Sequence, residues 1–431
     1  MYDLAVVGGG TAGCAAAYTA AKLGKRVILI EKNIHFGGTI TSGLVIPVMY
    51  QGENHINTEF YTDLISEMQK LGGQITYQKN KGWFNPELLK IALDNLLEKV
   101  NVDVRFGTSV FKIDYKKSTL QTLYINNKIL SEYNYTIDIN DNVLFEPISA
   151  RYVLDSTGNS EIFKILKCNF LKNENEFQPA SLRFIMSGVN FDEFSSWLEA
   201  FDTDRDVTTV QDIDGVRHFS TAYTWDTGKK WALAPLFEDA VDKGVLKDTD
   251  RNYFQLFSVA GTHDSVAFNC QRIVEGYDLT TSKGLSEALK TARSSIYRIA
   301  EFCKIYLPGF EKAHISNIAD SLGIRVSDRI KGKYVFTEDD LKSGKTFDNP
   351  VLISDYPIDV HSKDKNSSTL DKTGYYQLPI ESLMSADFDN LFAAGRNISA
   401  DYKAQGALRI QSNCFSMGEA VGKYVASHCE S

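Results

Sequence analysis

The chain has 431 residues, 43% of them hydrophobic and 23% charged, with a formal net charge of −9. That length leaves room for two or three domains with ample core, and the composition is that of an ordinary globular protein. The acidic balance disfavours a nucleic-acid or anionic-membrane partner, and no apolar run approaches the roughly 18 residues that span a bilayer.

The first expected strand, Leu4 to Val7, begins within three residues of Met1. That leaves no room for a signal peptide, so a cytoplasmic location is the default. The strand runs into Gly8, Gly10 and Gly13, spaced as G-x-G-x-x-G, with Thr11 and Ala12 between them. Gly8 permits a tight turn, Gly10 lets backbone approach a pyrophosphate, and Gly13 lets the following helix pack close to the strand. The alanine-rich stretch Cys14 to Leu23 favours helix and stops at Gly24. Its N-terminus would aim free N–H groups at phosphates. Arg26 to Ile30 reads as a second buried strand, ending in Glu31 and Lys32. An acid at this distance accepts hydrogen bonds from an adenosine ribose, and it opposes a 2′-phosphate by like charge. A chance glycine turn would not bring strand, turn, helix, strand and acid in this order.

Residues 101 to 150 alternate apolar and polar in short pieces, Val102-Asp103-Val104, Phe111-Lys112-Ile113 and Leu123-Tyr124-Ile125, and are read as a small antiparallel meander. Val110 lies at its edge and is counted with the cofactor site. Tyr152 to Asp155 reads as another strand, running into Ser156-Thr157-Gly158. Ligands of doubly wound sheets gather at such strand ends, which places Thr157 and Gly158 near the cofactor. From Pro179 to Met186 begins a strand-rich region with Trp197, Trp225 and Trp231, read as core. Helical spacing occupies 281 to 320, with Leu285, Ala288, Leu289 and Ala292 on one face. The polar stretch 361–372 is read as a surface loop. The six cysteines and seven histidines are scattered, without C-x-x-C or metal-ligand spacing, so neither a redox disulfide pair nor a metal site is expected.

Taken together, these segments resemble the FAD-dependent oxidoreductase family of the glutathione-reductase-type fold, in the branch related to fumarate reductase flavoproteins. The resemblance covers nearly the whole chain. It rests on the N-terminal glycine turn, Phe36-Gly37-Gly38-Thr39-Ile40-Thr41-Ser42-Gly43-Leu44, Leu154 to Gly158, Gly323 to Arg329 with Gly332 and Tyr334, Tyr356 to His361, and the block Asn390 to Gly422. It implies an α/β fold: an FAD-binding doubly wound (Rossmann-like) sheet with a β-meander and an inserted α+β substrate domain. The domains would be 1–176 and 386–431 for FAD and 177–385 for substrate. It implies FAD as cofactor, with Gly37 and Gly38 beside Thr39, Thr41 and Ser42 wrapping the diphosphate and flavin. Gly395 and Arg396 would close over the ribityl and diphosphate region. Gly406-Ala407-Leu408-Arg409 would open a final helix from Ile410 to Ser427, its N-terminal dipole facing the flavin pyrimidine.

Two motifs depart from the family pattern. Arg325-Val326-Ser327-Asp328-Arg329 stands where relatives usually carry Arg-Glu-Ser-Arg-Arg, and Asp401-Tyr402-Lys403 stands where many have Thr-His-Glu. The substrate-side candidates are therefore Arg325, Arg329, His361, Tyr402 and Arg409, each with a structural role as the alternative. The missing second glycine fingerprint and the missing Gly-Asp-Ala signature of aromatic hydroxylases leave hydride transfer between a small organic substrate and flavin N5. The arginines favour an anionic substrate. The electron donor or acceptor is not identified by the sequence. A catalytically altered flavin-binding regulatory protein and a tRNA-modifying flavoprotein remain the alternatives.

Overall fold

The computed structural model describes residues 1–49, 55–126, 145–171, 178–222, 231–270, 272–273, 276–360 and 374–429. Trp225, His361 and the stretch 361–372 lie outside the described residues. Two large sheets carry the fold. In the first, strands run in the spatial order 103–105, 27–30, 2–7, 145–155, 119–126 and 110–116, and Leu391–Ala393 also pairs with the strand Phe145–Asp155. The second is antiparallel, in the order 208–213, 216–222, 255–258, 266–268, 184–187 and 314–318. Together they give the mixed α/β architecture with a parallel, Rossmann-like sheet that the sequence pattern implied.

The strand Phe145–Asp155 joins two kinds of sheet, and its sequence shows why. Its first half alternates exposed and buried residues and pairs antiparallel with Thr119–Asn126, as a one-sided meander strand does. Its last three residues, Val153-Leu154-Asp155, are buried together and pair parallel with the strands Tyr2–Val7 and Leu391–Ala393. The segment around Asp103 corrects the sequence reading: Asp103–Arg105 pairs parallel with Val27–Ile30 and is not part of the meander. The helix Pro86–Lys99, capped by Asn85 accepting from Glu87 and Leu88 amides, immediately precedes it. A helical crossover delivers a parallel strand. The helical stretch 281–320 is likewise shorter than its spacing suggested. One helix, Ser282–Tyr306, ends before Pro308, and His314–Ile318 is a strand of the second sheet.

The two ends of the chain meet in the first core. The helix Thr11–Lys22 lies against the closing helix Gln411–His428, and a Cβ on Gly418 would stand 2.0 Å from Ala12 O. Small residues on both sides permit that approach, and any side chain at 418 would force the helices apart. The second core is aromatic: Phe184 and Phe268 stack at 4.4 Å, and Trp231 is buried. Trp197 is partly buried against it. Among the described residues no helix is long and apolar enough to cross a membrane, and no group of three His, Cys, Asp or Glu residues could hold a metal ion.

Candidate functional site

A cavity of 770 Å³ lies where the ends of the parallel strands face the second sheet. Its near end is built by the glycine loop. Gly8 has φ +101, and a Cβ there would meet the Ser156 backbone at 2.7 Å. Gly13 does not line the cavity; a Cβ on it would stand 1.9 Å from Gly8 O, so its role is the close seating of the helix on the strand. Gly10 is different. A Cβ there would meet nothing nearer than Gly38 Cα at 4.0 Å, and its φ of −76 suits any residue. Nothing in the protein requires glycine at 10, and the residue lines the cavity.

Glu31 closes this end. It is buried, and its carboxylate accepts the Gly9 amide at 2.6 Å and the Asn33 amide at 2.8 Å. Lys32 pairs with Glu161 at 2.9 Å, and both line the cavity beside Val110. Thr157 and Gly158 lie here too, but the Thr157 hydroxyl is committed to its own turn, donating to Asp155 Oδ1 at 2.7 Å and accepting the Glu161 amide at 3.1 Å. Asp155 is fully buried, and that burial pushes its carboxyl up to about 6 against the hydrogen bonds that favour the charged form.

The middle of the cavity is walled by Thr11, Ala12, Gly38, Thr39 and Ser42, and by Gly395 and Arg396 opposite. Gly37 and Thr41 stand behind this wall: Gly37 bridges to Gly10, and Thr41 Oγ1 donates to Phe36 O at 2.6 Å. Arg396 lies over Gly158, where a Cβ would come within 3.1 Å of Cζ, and donates to Asn159 Oδ1 at 2.7 Å. Burial pulls its guanidinium down to about 10, still protonated at neutral pH.

Gly406, Ala407 and Leu408 are placed differently from the sequence reading. They belong to a separate short helix, Tyr402–Leu408, capped by Asp401, and none of the three lines the cavity. The chain becomes extended at Ile410 and restarts as the closing helix at Gln411. The amides that face the cavity are thus those of Gln411 onward. Gly406 instead lies against the Asp359 backbone, 3.1 Å from its carbonyl oxygen if a Cβ were present.

The far end is cationic. Arg325 and Arg409 line it, joined by Arg183 and Arg272, which the sequence reading missed. Arg409 pairs with Asp359 at 3.2 Å. Arg325 donates to Pro179 O at 2.5 Å and Ser181 Oγ at 3.0 Å, and Arg183 to the carbonyls of Leu44 and Ile46, all neutral acceptors. Burial, then repulsion from Arg409 and Arg272, pulls the Arg325 guanidinium down to about 9. Burial alone accounts for Arg183 falling to about 10. Arg329 is not at this site: it is 1% exposed, away from the cavity wall, with Nη1 donating to Ala400 O at 3.3 Å. Tyr402 opens the short helix outside the cavity wall. The phenols that do line it are Tyr253 and Tyr356. His361 lies outside the described residues. The available signal for Arg183 was an arginine set between the buried Leu182 and Phe184, which alternation turns to the opposite face.

The near and middle walls fit a dinucleotide diphosphate. Gly10 leaves a cradle that a Cβ would fill, and Ser42 Oγ and Arg396 Nε are buried polar atoms without a protein partner. Two helix N-termini without side-chain caps, at Thr11 and Gln411, border the same space. Donors and positive dipole ends suit an anion.

Residues 3–431 match the family model described as FAD dependent oxidoreductase. Glutathione reductase of Schizosaccharomyces pombe is 24% identical over 165 residues, 38% of this chain and 32% of that protein. The match thus spans about a third of that relative's length. Among solved structures, a geranylgeranyl bacteriochlorophyll reductase-like protein from Thermoplasma acidophilum is 12% identical with a TM-score of 0.43, covering 99% of this chain and 78% of that one. A myxobacterial chondrochloren halogenase, described as an FAD-dependent halogenase variant, is 11% identical with a TM-score of 0.45, covering 100% and 76%.

Proposed function

The chain belongs to the FAD dependent oxidoreductase family and FAD is its cofactor; from that premise we propose that it transfers a hydride between a small organic anion and flavin N5, as a dehydrogenase or reductase. FAD, when bound, supplies the two-electron chemistry at N5. The observation that carries the reading is the placement of Arg183, Arg272, Arg325 and Arg409 on the cavity that the glycine loop also lines. The near end, Gly8 to Glu31, would hold the adenosine part, and the middle wall with Arg396 the diphosphate. At the far end the guanidiniums bind and orient the substrate's negative charge. Burial and the neighbouring Asp359 push the Tyr356 hydroxyl well above the usual phenol range. It holds its proton at neutral pH, and Tyr356 Oη is the group proposed to donate to substrate, in place of Tyr402.

The domain division is part of the same proposal: a cofactor unit of 1–176 and 386–431 with 177–385 inserted. The second sheet falls wholly inside the insertion. Its last stretch nonetheless contributes Phe336, Leu352 and Tyr376 to the first core.

The test is anaerobic titration of FAD-loaded protein with anionic and neutral compounds, following the flavin band near about 450 nm in both redox directions. Bleaching or reoxidation by anions is expected. Turnover confined to neutral, carboxylate-free compounds would remove the anion, and a flavin that nothing reduces or reoxidises would remove hydride transfer.

A further inference from the structure

The cationic end of the cavity has one pole. Arg409, Arg272 and Arg183 all lie close enough to Arg325 to repel its charge. The half-buried Asp359 pairs with Arg409 at this end and also attracts Arg325. A short dicarboxylate needs two separated poles; here the positive charge gathers around a single side chain.

The wall beside that pole has a different character. Arg272 is paired in register with Ser181, whose Oγ accepts from Arg325, so the two arginines share one strand junction. The Arg272 guanidinium lies over the Tyr253 ring at 4.0 Å. Tyr253 is fixed in turn, donating to Gln255 Oε1 at 3.0 Å and accepting from Asn269 Nδ2 at 3.2 Å. Gln255 pairs in register with Ala222, and the helix Ser282–Tyr306 adds Leu285 and Leu289 to the same cavity wall. Leu285 is left 36% exposed. An apolar side chain exposed at a cavity wall is surface available to a ligand's apolar part.

We propose that the cavity takes a small amphipathic anion: one carboxylate or phosphate head held around Arg325, with an aliphatic or aromatic body laid against Ala222, Leu285 and Leu289. This rests on the reading of the cavity as the redox site and names its substrate class. The guanidiniums supply charge and bidentate geometry for the head. The leucines and Ala222 supply burial for the body.

The test is equilibrium binding to the FAD-loaded protein, by calorimetry and by perturbation of the flavin spectrum, with no turnover required. The probes are the straight-chain monocarboxylates from ethanoate to hexanoate, butanedioate, phenylacetate, phenyl phosphate, and the alcohols of matching length. Affinity should rise about fourfold per added methylene over the first few. The alcohols should bind at least about tenfold more weakly than the acids. Butanedioate should bind no better than butanoate. Leu285→Asn should flatten the chain-length dependence, and Arg325→Gln should weaken every anion at least about tenfold. Phenylacetate against phenyl phosphate identifies the head. Butanedioate binding tighter than butanoate, affinity independent of chain length, alcohols equal to acids, or no binding at all would each overturn the proposal. The expected pattern in a protein whose flavin nothing reduces or reoxidises would sustain the ligand class and remove hydride transfer alone.

Discussion

Gly10→Ala separates what the protein needs from what its cofactor needs. The added methyl would find no heavy atom nearer than Gly38 Cα at 4.0 Å, and the backbone at φ −76 is one an L-residue adopts without strain. Two small effects on the apoprotein oppose each other. Alanine restricts the unfolded chain, worth about 0.4–1 kcal/mol in favour of folding. It is also a poorer helix N-cap than glycine, worth about as much against. The apoprotein should therefore keep its stability to within about 1 kcal/mol. FAD should suffer more, because the methyl fills the cradle where backbone approaches the diphosphate. Overpacking of about 1–3 kcal/mol corresponds to roughly a 5- to 150-fold loss of affinity. The assay is urea denaturation of the apoprotein alongside FAD titration by quenching of flavin fluorescence. Gly13→Ala is the contrast: its methyl would sit 1.9 Å from Gly8 O, so it should destabilise the apoprotein by about 3 kcal/mol or more. If Gly10→Ala unfolds the apoprotein as Gly13→Ala does, or leaves FAD affinity untouched, the assignment of Gly10 to the ligand is wrong.

Three further outcomes follow from the same geometry. Gly418→Ala would place a methyl 2.0 Å from Ala12 O, so the closing helix must move off the first helix; a fall of at least about 2 kcal/mol in the denaturation free energy and weaker FAD binding should appear together, and full stability would refute the close contact. Asp155 has its folded carboxyl raised to about 6 above an ordinary value of 3.8, so the folded state binds the extra proton between those values. Its contribution to stability is then largest below about pH 4, is lost as pH rises to about 6, and is flat above, a change on the order of 2–3 kcal/mol. The difference between wild type and Asp155→Asn across pH 4–7 should trace that loss, and a difference growing in wild type's favour as pH rises would reverse the sign. Arg325 is a half-buried cation repelled by its neighbours and bonded only to neutral acceptors, so Arg325→Gln should leave the ligand-free protein as stable or more stable while weakening anion binding. A stability loss beyond about 2 kcal/mol would show that the charge is structurally compensated.

The parts of this fold that could be read in the sequence are those fixed by neighbours along the chain. The turn at Gly8 to Gly13, the alanine helix after it and the buried acid at Glu31 are local chemistry, and all take the expected places. The parts that could not be read are set by distant contacts. Gly406-Ala407-Leu408-Arg409-Ile410-Gln411 contains no proline and reads as continuous helix. The short helix instead ends with Gly406 packed against the Asp359 backbone, and Ile410 is extended at ψ 149 before the closing helix starts. Asp103 alternates like a meander residue, yet the helix before it delivers the strand parallel. The departure at Asp401-Tyr402-Lys403 drew attention to Tyr402, whereas the phenols that reach the cavity are Tyr253, which stands in no motif, and Tyr356, which opens the Tyr356 to His361 block from which only His361 was singled out.

The charge balance illustrates the same limit from the other side. A net −9 describes a protein whose carboxylates outnumber its cations, and it argues about surfaces and long-range partners. It carries no information about an interior wall. Arg183, Arg272, Arg325 and Arg409 come from four separate segments, and nothing in the spacing between them predicts that they meet. Burying cations together is unfavourable for folding, and the surrounding acceptors of Arg183 and Arg325 relieve only hydrogen bonding, not charge. Under the proposed function, that cost is offset when a negative group arrives. The cationic wall is therefore better support for the proposed anionic ligand than an arginine motif in the sequence could be, because the structure shows which cations share one cavity.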